Sequence, residues 1–298
     1  MAEVAPGPDA GRPATIARTL HDEAGETELR TQGWTVVDLL TAEEVASLRD
    51  FYRSEAATED LNPPGAFDST YAEFSVIHCR PDFRARAFDT ITAVAGPRAA
   101  SLLVDHRPLV ANFVNKLPGT GVVPMHQNWS VVDERSYRSV SVWIALVDCA
   151  IENGAVQFLP GSHQNFREPR GMWAYEAFVE VFDEAAAQLV TVPVRAGQAI
   201  VLDDAVVHYS PPNDTGDDRL AIQLVMVPSE AEPLFYQQVD SDGSELVADV
   251  WTVDPQFFFE FWHGDGDERH GRVIDRIRVD GSRLDAERFH RTFGAQLS

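Results

Sequence analysis

The chain has 298 residues, 44% hydrophobic and 24% charged, with a formal net charge of -23. That length fits one large domain or two small ones, and the composition is that of an ordinary globular protein. Asp and Glu outnumber Lys and Arg 47 to 24, a field that repels nucleic acid and an anionic membrane surface, so neither is expected as a partner. Cys79 and Cys149 are the only cysteines. They make neither a disulfide framework nor a zinc spacing, and a reduced cytoplasmic setting is the default. Residues 1–30 hold no continuous apolar run of the signal-peptide kind, and no stretch approaches the roughly 18 apolar residues of a membrane span.

Taken in chain order, residues 1–28 are rich in Ala, Gly and Pro and read as a flexible tail. The remainder, 29–298, reads as a single domain with a helical N-terminal part and a mixed C-terminal extension. "WTVVDLL" is a short β-branched strand. Thr41, with Glu44 three places on, forms a capping box before a helix whose apolar face carries Val45, Leu48, Phe51 and Tyr52. Residues 60–75 hold Pro63, Pro64 and Gly65 and read as a loop placed to act as a lid. A helix is expected over 83–104. From 109 onward "LVANFVNKL", "SVSVWIALVD", "AVQFLP", "LVTVPV", "QAIVLDD" and "RLAIQLVMVP" are short strands divided by turn formers. "RHGRVIDRIR" reads as helical. The fold class is mainly β with flanking helices, a number of short strands that fits a sandwich or jelly roll.

Two stretches carry chemistry. In "PMHQNWS", His126 and Asn128 stand two apart, so on extended backbone both face one way, with Gln127 turned aside. Two His and one carboxylate on one face of a metal are the ligand set of non-haem Fe(II) oxygenases. In "GQAIVLDDAVVHYSPPNDTGDDRLAIQLVMVP", His208 ends a strand and Arg219 begins the next. Alternation puts Arg219, Ala221 and Gln223 on one face and Leu220, Ile222 and Leu224 on the other. A guanidinium among small and polar side chains suits a pocket that takes a carboxylate in a bidentate grip. The strand at 140–146 splits likewise. Ser141, Trp143 and Ala145 face opposite to Val140, Val142, Ile144 and Leu146, and a Trp among small residues marks a cavity wall.

With these residues in view, "HQNWSVVDE", "WIALVDCAIENGAVQFLPGSH" and "GQAIVLDDAVVHYSPPNDTGDDR" resemble the phytanoyl-CoA dioxygenase (PhyH-like) family of Fe(II)/2-oxoglutarate-dependent oxygenases over roughly residues 30–228. The resemblance implies a double-stranded β-helix, a cupin-like jelly roll with iron in its open mouth. It implies Fe(2+) and 2-oxoglutarate as cofactors, O2 and a small molecule as substrates, and His126 and His208 as metal ligands. By the same resemblance Arg219 binds the distal carboxylate of 2-oxoglutarate, Ser210 assists it, and Trp143 lies beside it. Asn112 and Lys116, the sole lysine of the chain, lie on the strand leading to His126, where relatives place co-substrate contacts. His163 reads as a structural residue closing the "LPGS" turn.

Family members carry Asp where this chain has Asn128, and four readings follow. The amide oxygen ligates iron in a hydroxylase or desaturase; the side chain swings out and water or halide enters, as in a halogenase; the site binds 2-oxoglutarate or a metabolite without turnover; or the Asn was introduced to trap a complex. Asp133, Glu134, Asp203 and Asp204 are nearby in sequence, but none stands two residues from a ligand His, so none is expected to replace the carboxylate. The expected function is oxidation of an unactivated C–H of a small molecule, by hydroxylation, desaturation or cyclisation, in specialised metabolism. Phe67, Trp129, Arg135 and Tyr137 are the candidate substrate contacts, from the 60–75 loop and the "WSVVDERSYR" loop. The aromatic 254–263 stretch is a third selectivity element.

Overall fold

Among the described residues, β-branched and aromatic runs separated by Gly, Pro and Asn form thirteen strands. The computed structural model describes residues 16–58, 71–77, 81–171, 173–174, 177–242, 245–260, 266–280 and 283–294. Six strands form one antiparallel sheet: β1 (Trp34–Asp38), β2 (Glu73–Phe74), β3 (His106–Lys116), β5 (Val140–Ala145), β8 (Gln198–Asp203) and β10 (Arg219–Pro228), in the order β1-β8-β5-β10-β3-β2. A smaller antiparallel sheet has the order β4-β9-β6-β7, from β4 (Val123–His126), β6 (Gln157–Phe158), β7 (Val190–Thr191) and β9 (His208–Ser210). The two sheets enclose a core in which Trp34 stacks on Phe158 at 4.7 Å between ring centroids and Ile200, Leu202 and Ala221 meet Val156 and Val192. This is the jelly-roll arrangement expected.

The outer face of the large sheet is covered by helices. Leu220, Ile222 and Leu224 of β10 and Val140, Val142 and Ile144 of β5 pack there against Leu48, Ala87, Ile91 and Ala95. These come from α2 (Ala42–Thr58) and α3 (Pro81–Leu102). The alternation read in both strands is therefore the real division between helix-facing core and cavity. α2 starts at the expected capping box: the Glu44 backbone N–H donates to Thr41 Oγ1 (3.3 Å) and the Thr41 N–H to Glu44 Oε2 (2.8 Å).

Structure begins earlier than the expected tail boundary at 28. α1 (Glu23–Gln32) is capped by Asp22, which accepts from the Gly25 N–H, and buries Leu29. It ends on Gly33 at φ 102°, where a Cβ would lie 2.6 Å from Val206 Cγ2. The second departure is at "RHGRVIDRIR", expected to be helical. Residues Gly271–Asp280 form β13, the edge of a three-stranded antiparallel sheet with β11 (Leu234–Asp242) and β12 (Glu245–Val253). Val273, Ile274, Ile277 and Val279 are β-branched and favour extended backbone. One of its charges has a cross-strand partner: Asp249 opposes Arg276, whose Nε donates to Asp249 Oδ1 at 2.6 Å. Among the described residues no helix is long and apolar enough to cross a membrane.

Candidate active site

The open end of the two sheets encloses a cavity of about 420 Å3 lined by His126, Asn128, His208, Ser210, Trp143, Asn112 and Arg219, among others. Strand pairing makes the histidine pair. β4 and β9 are neighbours with His126 opposite His208, and the ring centroids are 4.2 Å apart. Nδ1–H of His126 donates to the Pro124 carbonyl (2.7 Å), and Nδ1–H of His208 to that of Val206 (3.0 Å). Backbone thus fixes both tautomers and makes Nε2 the nitrogen each ring offers a metal. Burial holds both rings below the usual imidazole range, His208 at about 4, so both are neutral as ligands must be.

Arg219 opens β10 and is 1% exposed. Its guanidinium carbon lies 5.2 Å from the centroid of the Trp143 ring, and Nε and Nη1 meet no hydrogen-bond partner among the described residues. Burial lowers its pKa to about 10, which leaves it charged at neutral pH. A buried cation with unused N–H groups beside a cavity has the chemistry to bind an anion. Trp143 is the aromatic floor under it.

Lys116 is placed differently from its expected role. It pairs with Arg219 across β3 and β10 but does not line the cavity. Its Nζ donates to the carbonyls of Ser210 (3.0 Å) and Pro211, and burial with the Arg219 charge lowers it to about 6. Neutral Lys116 ties the end of β9 to β3. Gly154 makes room for this: it sits at φ 80°, and a Cβ there would lie 2.5 Å from the Pro211 oxygen and 2.9 Å from Lys116 Nζ. Ser210 lines the cavity with its hydroxyl donating to the Gly154 carbonyl (2.7 Å).

Asn128 lies just past the end of β4 and still faces the cavity. Its Nδ2 donates to Asp204 Oδ1 (2.8 Å) and Ser141 Oγ (3.1 Å), and Ser141 Oγ donates to the same Asp204 oxygen (2.7 Å). Asp204 is 1% exposed, and burial, helped by the neighbouring Asp203 charge, raises its pKa to about 6 against the pull of the Ser139, Ser141 and Asn128 side chains. Behind this loop runs a chain of ion pairs: Arg138 to Asp203 (2.9 Å), Asp203 to Arg167, Arg167 to Glu134 (3.7 Å), and Glu134 to Arg170. Arg170 Nε donates to the Asn128 carbonyl at 2.8 Å, so the network ends on the backbone that presents the third position of the site. Asp203 and Glu134 are therefore scaffold, not ligands.

The profile of phytanoyl-CoA dioxygenase (PhyH) matches residues 29–221. The chain belongs to the phytanoyl-CoA dioxygenase family. It is 30% identical over 161 residues to a phytanoyl-CoA dioxygenase of Arabidopsis thaliana, covering 51% of this chain and 52% of that protein. It is 30% identical over 120 residues to the phytanoyl-CoA dioxygenase domain-containing protein 1 homolog of Dictyostelium discoideum, covering 38% and 42%. The chain thus spans about half the length of these relatives. Among solved structures it is similar to the non-heme alpha ketoglutarate dependent carbocyclase SnoK from nogalamycin biosynthesis (TM-score 0.55, 20% identity, 71% of this chain and 86% of that one). That likeness shows the fold.

Phytanoyl-CoA dioxygenases depend on Fe(II) and 2-oxoglutarate. The donor set here fits both with one departure. Two imidazoles with fixed tautomers fit iron, and the unused guanidinium of Arg219 fits a carboxylate. Among the described residues no three His, Cys, Asp or Glu side chains come together as a metal site, and the residue beside the His126–His208 pair in the cavity is the amide Asn128.

Of the expected substrate contacts, Trp129 lines the cavity, and its Nε1 is buried without a partner among the described residues. Arg135 is turned to solvent and pairs with Asp133 (2.8 Å). Tyr137 packs against the cluster of Val131, Phe235 and Phe257. Phe67 and residues 60–70 of the expected lid lie outside the described residues, as do residues 261–263 of the aromatic stretch. Tyr71 and Phe74 from the end of the 60–75 loop and Phe258 from the aromatic stretch also line the cavity, and Val225 of β10, which was not expected, joins them. Asn112 lines the cavity with its Oδ1 unpartnered among the described residues, while its Nδ2 donates to Gln223 (3.1 Å).

Acid sensitivity follows from the buried imidazoles. Burial lowers the pKa of His106 and His163 as well as that of the site pair. Unfolded histidines titrate near 6.5, so below about that pH the unfolded chain takes up protons that the fold does not. The imidazole contribution to stability is therefore full above that value and declines as pH falls toward the folded values. Urea midpoints measured at pH 8 and pH 5.5 should show the lower value at pH 5.5. A His106→Gln variant should show a smaller difference.

Proposed function

We propose that this protein is an Fe(II)/2-oxoglutarate-dependent oxygenase that oxidises an unactivated C–H of a largely apolar small molecule in specialised metabolism. The observation that carries the reading is Arg219, a buried guanidinium with two nitrogens unpartnered among the described residues, in the same cavity as the paired His126 and His208. A metal site alone fits many reactions. A metal site with an anion receptor in one closed cavity fits a reaction whose co-substrate chelates with one end and is held by a carboxylate at the other.

In this reading His126, His208 and Oδ1 of Asn128 hold iron, and Arg219 over Trp143 holds the far carboxylate of 2-oxoglutarate. When bound, iron and 2-oxoglutarate supply the oxidation, coupling O2 reduction to decarboxylation to succinate. The protein contributes positioning and a dry enclosure. Val110, Val114, Val122, Val131, Val225 and Phe258 form most of the remaining wall. They offer a substrate dispersion contacts, with Trp129 Nε1 and Asn112 Oδ1 as the polar points that orient it. The hydrogen bonds from Asn128 to Asp204 and Ser141 favour an amide held in place over one swung aside for a halide.

The test is anaerobic addition of Fe(II) and 2-oxoglutarate, reading the weak visible charge-transfer band, then O2 and a succinate assay. Absence of both band and succinate would sink the enzyme reading and leave a binding protein. Repeating the assay with chloride and bromide present separates halide transfer from hydroxylation. Asn128→Asp should tighten Fe(II) binding, because an anion replaces a neutral oxygen as ligand; an unchanged dissociation constant would place residue 128 outside the ligand set.

A further inference from the structure

We propose that Asp204 is a positioning residue for the metal site: it turns the Asn128 amide so that Oδ1 faces the metal, and it supplies from behind the negative charge that position 128 lacks. The proposal rests on the reading above and concerns a residue that does not itself ligate.

An amide is a ligand on one side only. Its oxygen can bind a divalent cation, while its NH2 group cannot, so an Asn at this position functions only if something fixes its rotation. Asp204 Oδ1 lies 2.8 Å from Asn128 Nδ2. Turning the amide over would bring Asn128 Oδ1 against that carboxylate oxygen, two acceptors at hydrogen-bond distance with no proton between them. Ser141 cannot relieve the reversed arrangement. Its hydroxyl proton goes to Asp204 Oδ1 (2.7 Å), and its oxygen accepts from Asn128 Nδ2 (3.1 Å) and Gln223 Nε2 (3.3 Å). Asn112 in turn donates to Gln223. Every link in the chain from Asn112 to Asp204 donates in one direction, and the chain ends on the carboxylate. One buried anion therefore orients three amides.

Charge gives the second argument. Asp204 is fully enclosed, its polar neighbours are the Ser139 and Ser141 hydroxyls and the Asn128 amide, and no cationic side chain pairs with it among the described residues. A buried carboxylate in that state is costly unless a cation is near. Its neighbour Asp203, by contrast, is paired with Arg138 and Arg167. A divalent ion held by Asn128 is the cation placed to balance Asp204. The carboxylate that family members carry as a ligand is here moved one side chain outward, and charge and directionality reach the metal through the amide.

The experiment is a double-mutant cycle read as Co(II) affinity of metal-free protein by calorimetry, with no turnover involved. Asp204→Asn should weaken Co(II) binding by about 10- to 100-fold, the range for losing a group that orients a ligand. In the Asn128→Asp background the same change should cost less than about 3-fold, because a carboxylate ligand needs no orientation and carries its own charge. Asp204→Ser removes the charge but keeps an acceptor and is smaller than Asp, so it reads the effect if the Asn variant does not fold; about 10-fold weakening is expected. Equal Co(II) affinity in Asp204→Asn and the parent protein overturns the proposal. So does an equal loss in both backgrounds, which would mean a general structural effect. His126→Ala separates the two layers. Loss of Co(II) binding there, with Asp204→Asn unaffected, overturns the positioning role alone; retained binding in His126→Ala overturns the metal site itself.

Discussion

His208→Gln protein should bind Fe(II) at least about 100-fold more weakly than the parent and form no succinate above background. Loss of an orienting group around a metal ligand costs about 10–100-fold in affinity, so loss of the ligand itself belongs at or beyond the upper end. Gln keeps the side-chain volume and a polar end, so the change tests ligation more than packing. The same variant has a second signature. With metal at about 100 times the parent's dissociation constant, binding adds about 2.7 kcal/mol to the parent's stability; a 100-fold weaker site at that concentration adds only about 0.4 kcal/mol. Thermal melts with and without Fe(II) or Co(II) under nitrogen read this directly. A variant whose melting temperature rises with metal as much as the parent's would remove His208 from the site. Because Nδ1 of His208 is held by the Val206 carbonyl, the parent's response should come from Nε2 alone, with little rearrangement on binding.

Much of this arrangement was legible in the sequence because it obeys short periods. The alternation in β5 and β10 told the helix-facing side from the inner side, where Ser141, Trp143, Arg219 and Gln223 line the cavity, since the period of a strand is two and one face was apolar. His126, His208 and Arg219 stood at strand ends with motif spacing around them. What was not legible depends on contacts far apart in the chain. Asp204 meets Asn128 across 76 positions, and Asp133, Glu134, Asp203 and Asp204 were set aside together because none stood two residues from a ligand histidine. That criterion holds within one strand and is blind to what a neighbouring turn delivers. A signal did exist: Asp203 and Asp204 are consecutive acids at the end of an apolar strand, where burial is expected and each must find a partner. Lys116 was misplaced for a related reason. Its place on a strand was correct, but that strand pairs it with Arg219, two like charges buried side by side favour neutralising one, and the lysine became a hydrogen-bond tie to Ser210 and Pro211. β13 was not legible as a strand because what holds it, pairing with β12 and the Arg276–Asp249 contact, lies on another segment of the chain.

Arg219→Met separates binding from stability more sharply than any other single change. Met replaces the guanidinium with a flexible apolar side chain in a buried site. Two terms oppose each other in the metal-free, co-substrate-free protein. The parent bears the cost of a buried charge whose Nε and Nη1 lack partners among the described residues, a cost that Met removes. The parent also gains from the guanidinium over the Trp143 ring at 5.2 Å, a contact worth about 2 kcal/mol when desolvated, which Met loses in part. The neighbouring Lys116 gains as well, since the cation that helps depress it is gone. The expected melting temperature is therefore equal to or above the parent's. Co-substrate binding moves the other way. Breaking one side of a buried charge pair costs about 3–5 kcal/mol, which at 1.4 kcal/mol per tenfold is a loss of at least about 100-fold in 2-oxoglutarate affinity. Calorimetric titration of 2-oxoglutarate into the metal-loaded variants, beside thermal melts of the apo proteins, gives both numbers. Arg219→Lys keeps a charge but not the planar fork, so it should fall between. A variant that binds 2-oxoglutarate like the parent would end the assignment of Arg219 to the carboxylate. A variant that binds weakly but is also several kcal/mol less stable would mean that the guanidinium holds the fold together, and that its open N–H groups are not waiting for an anion.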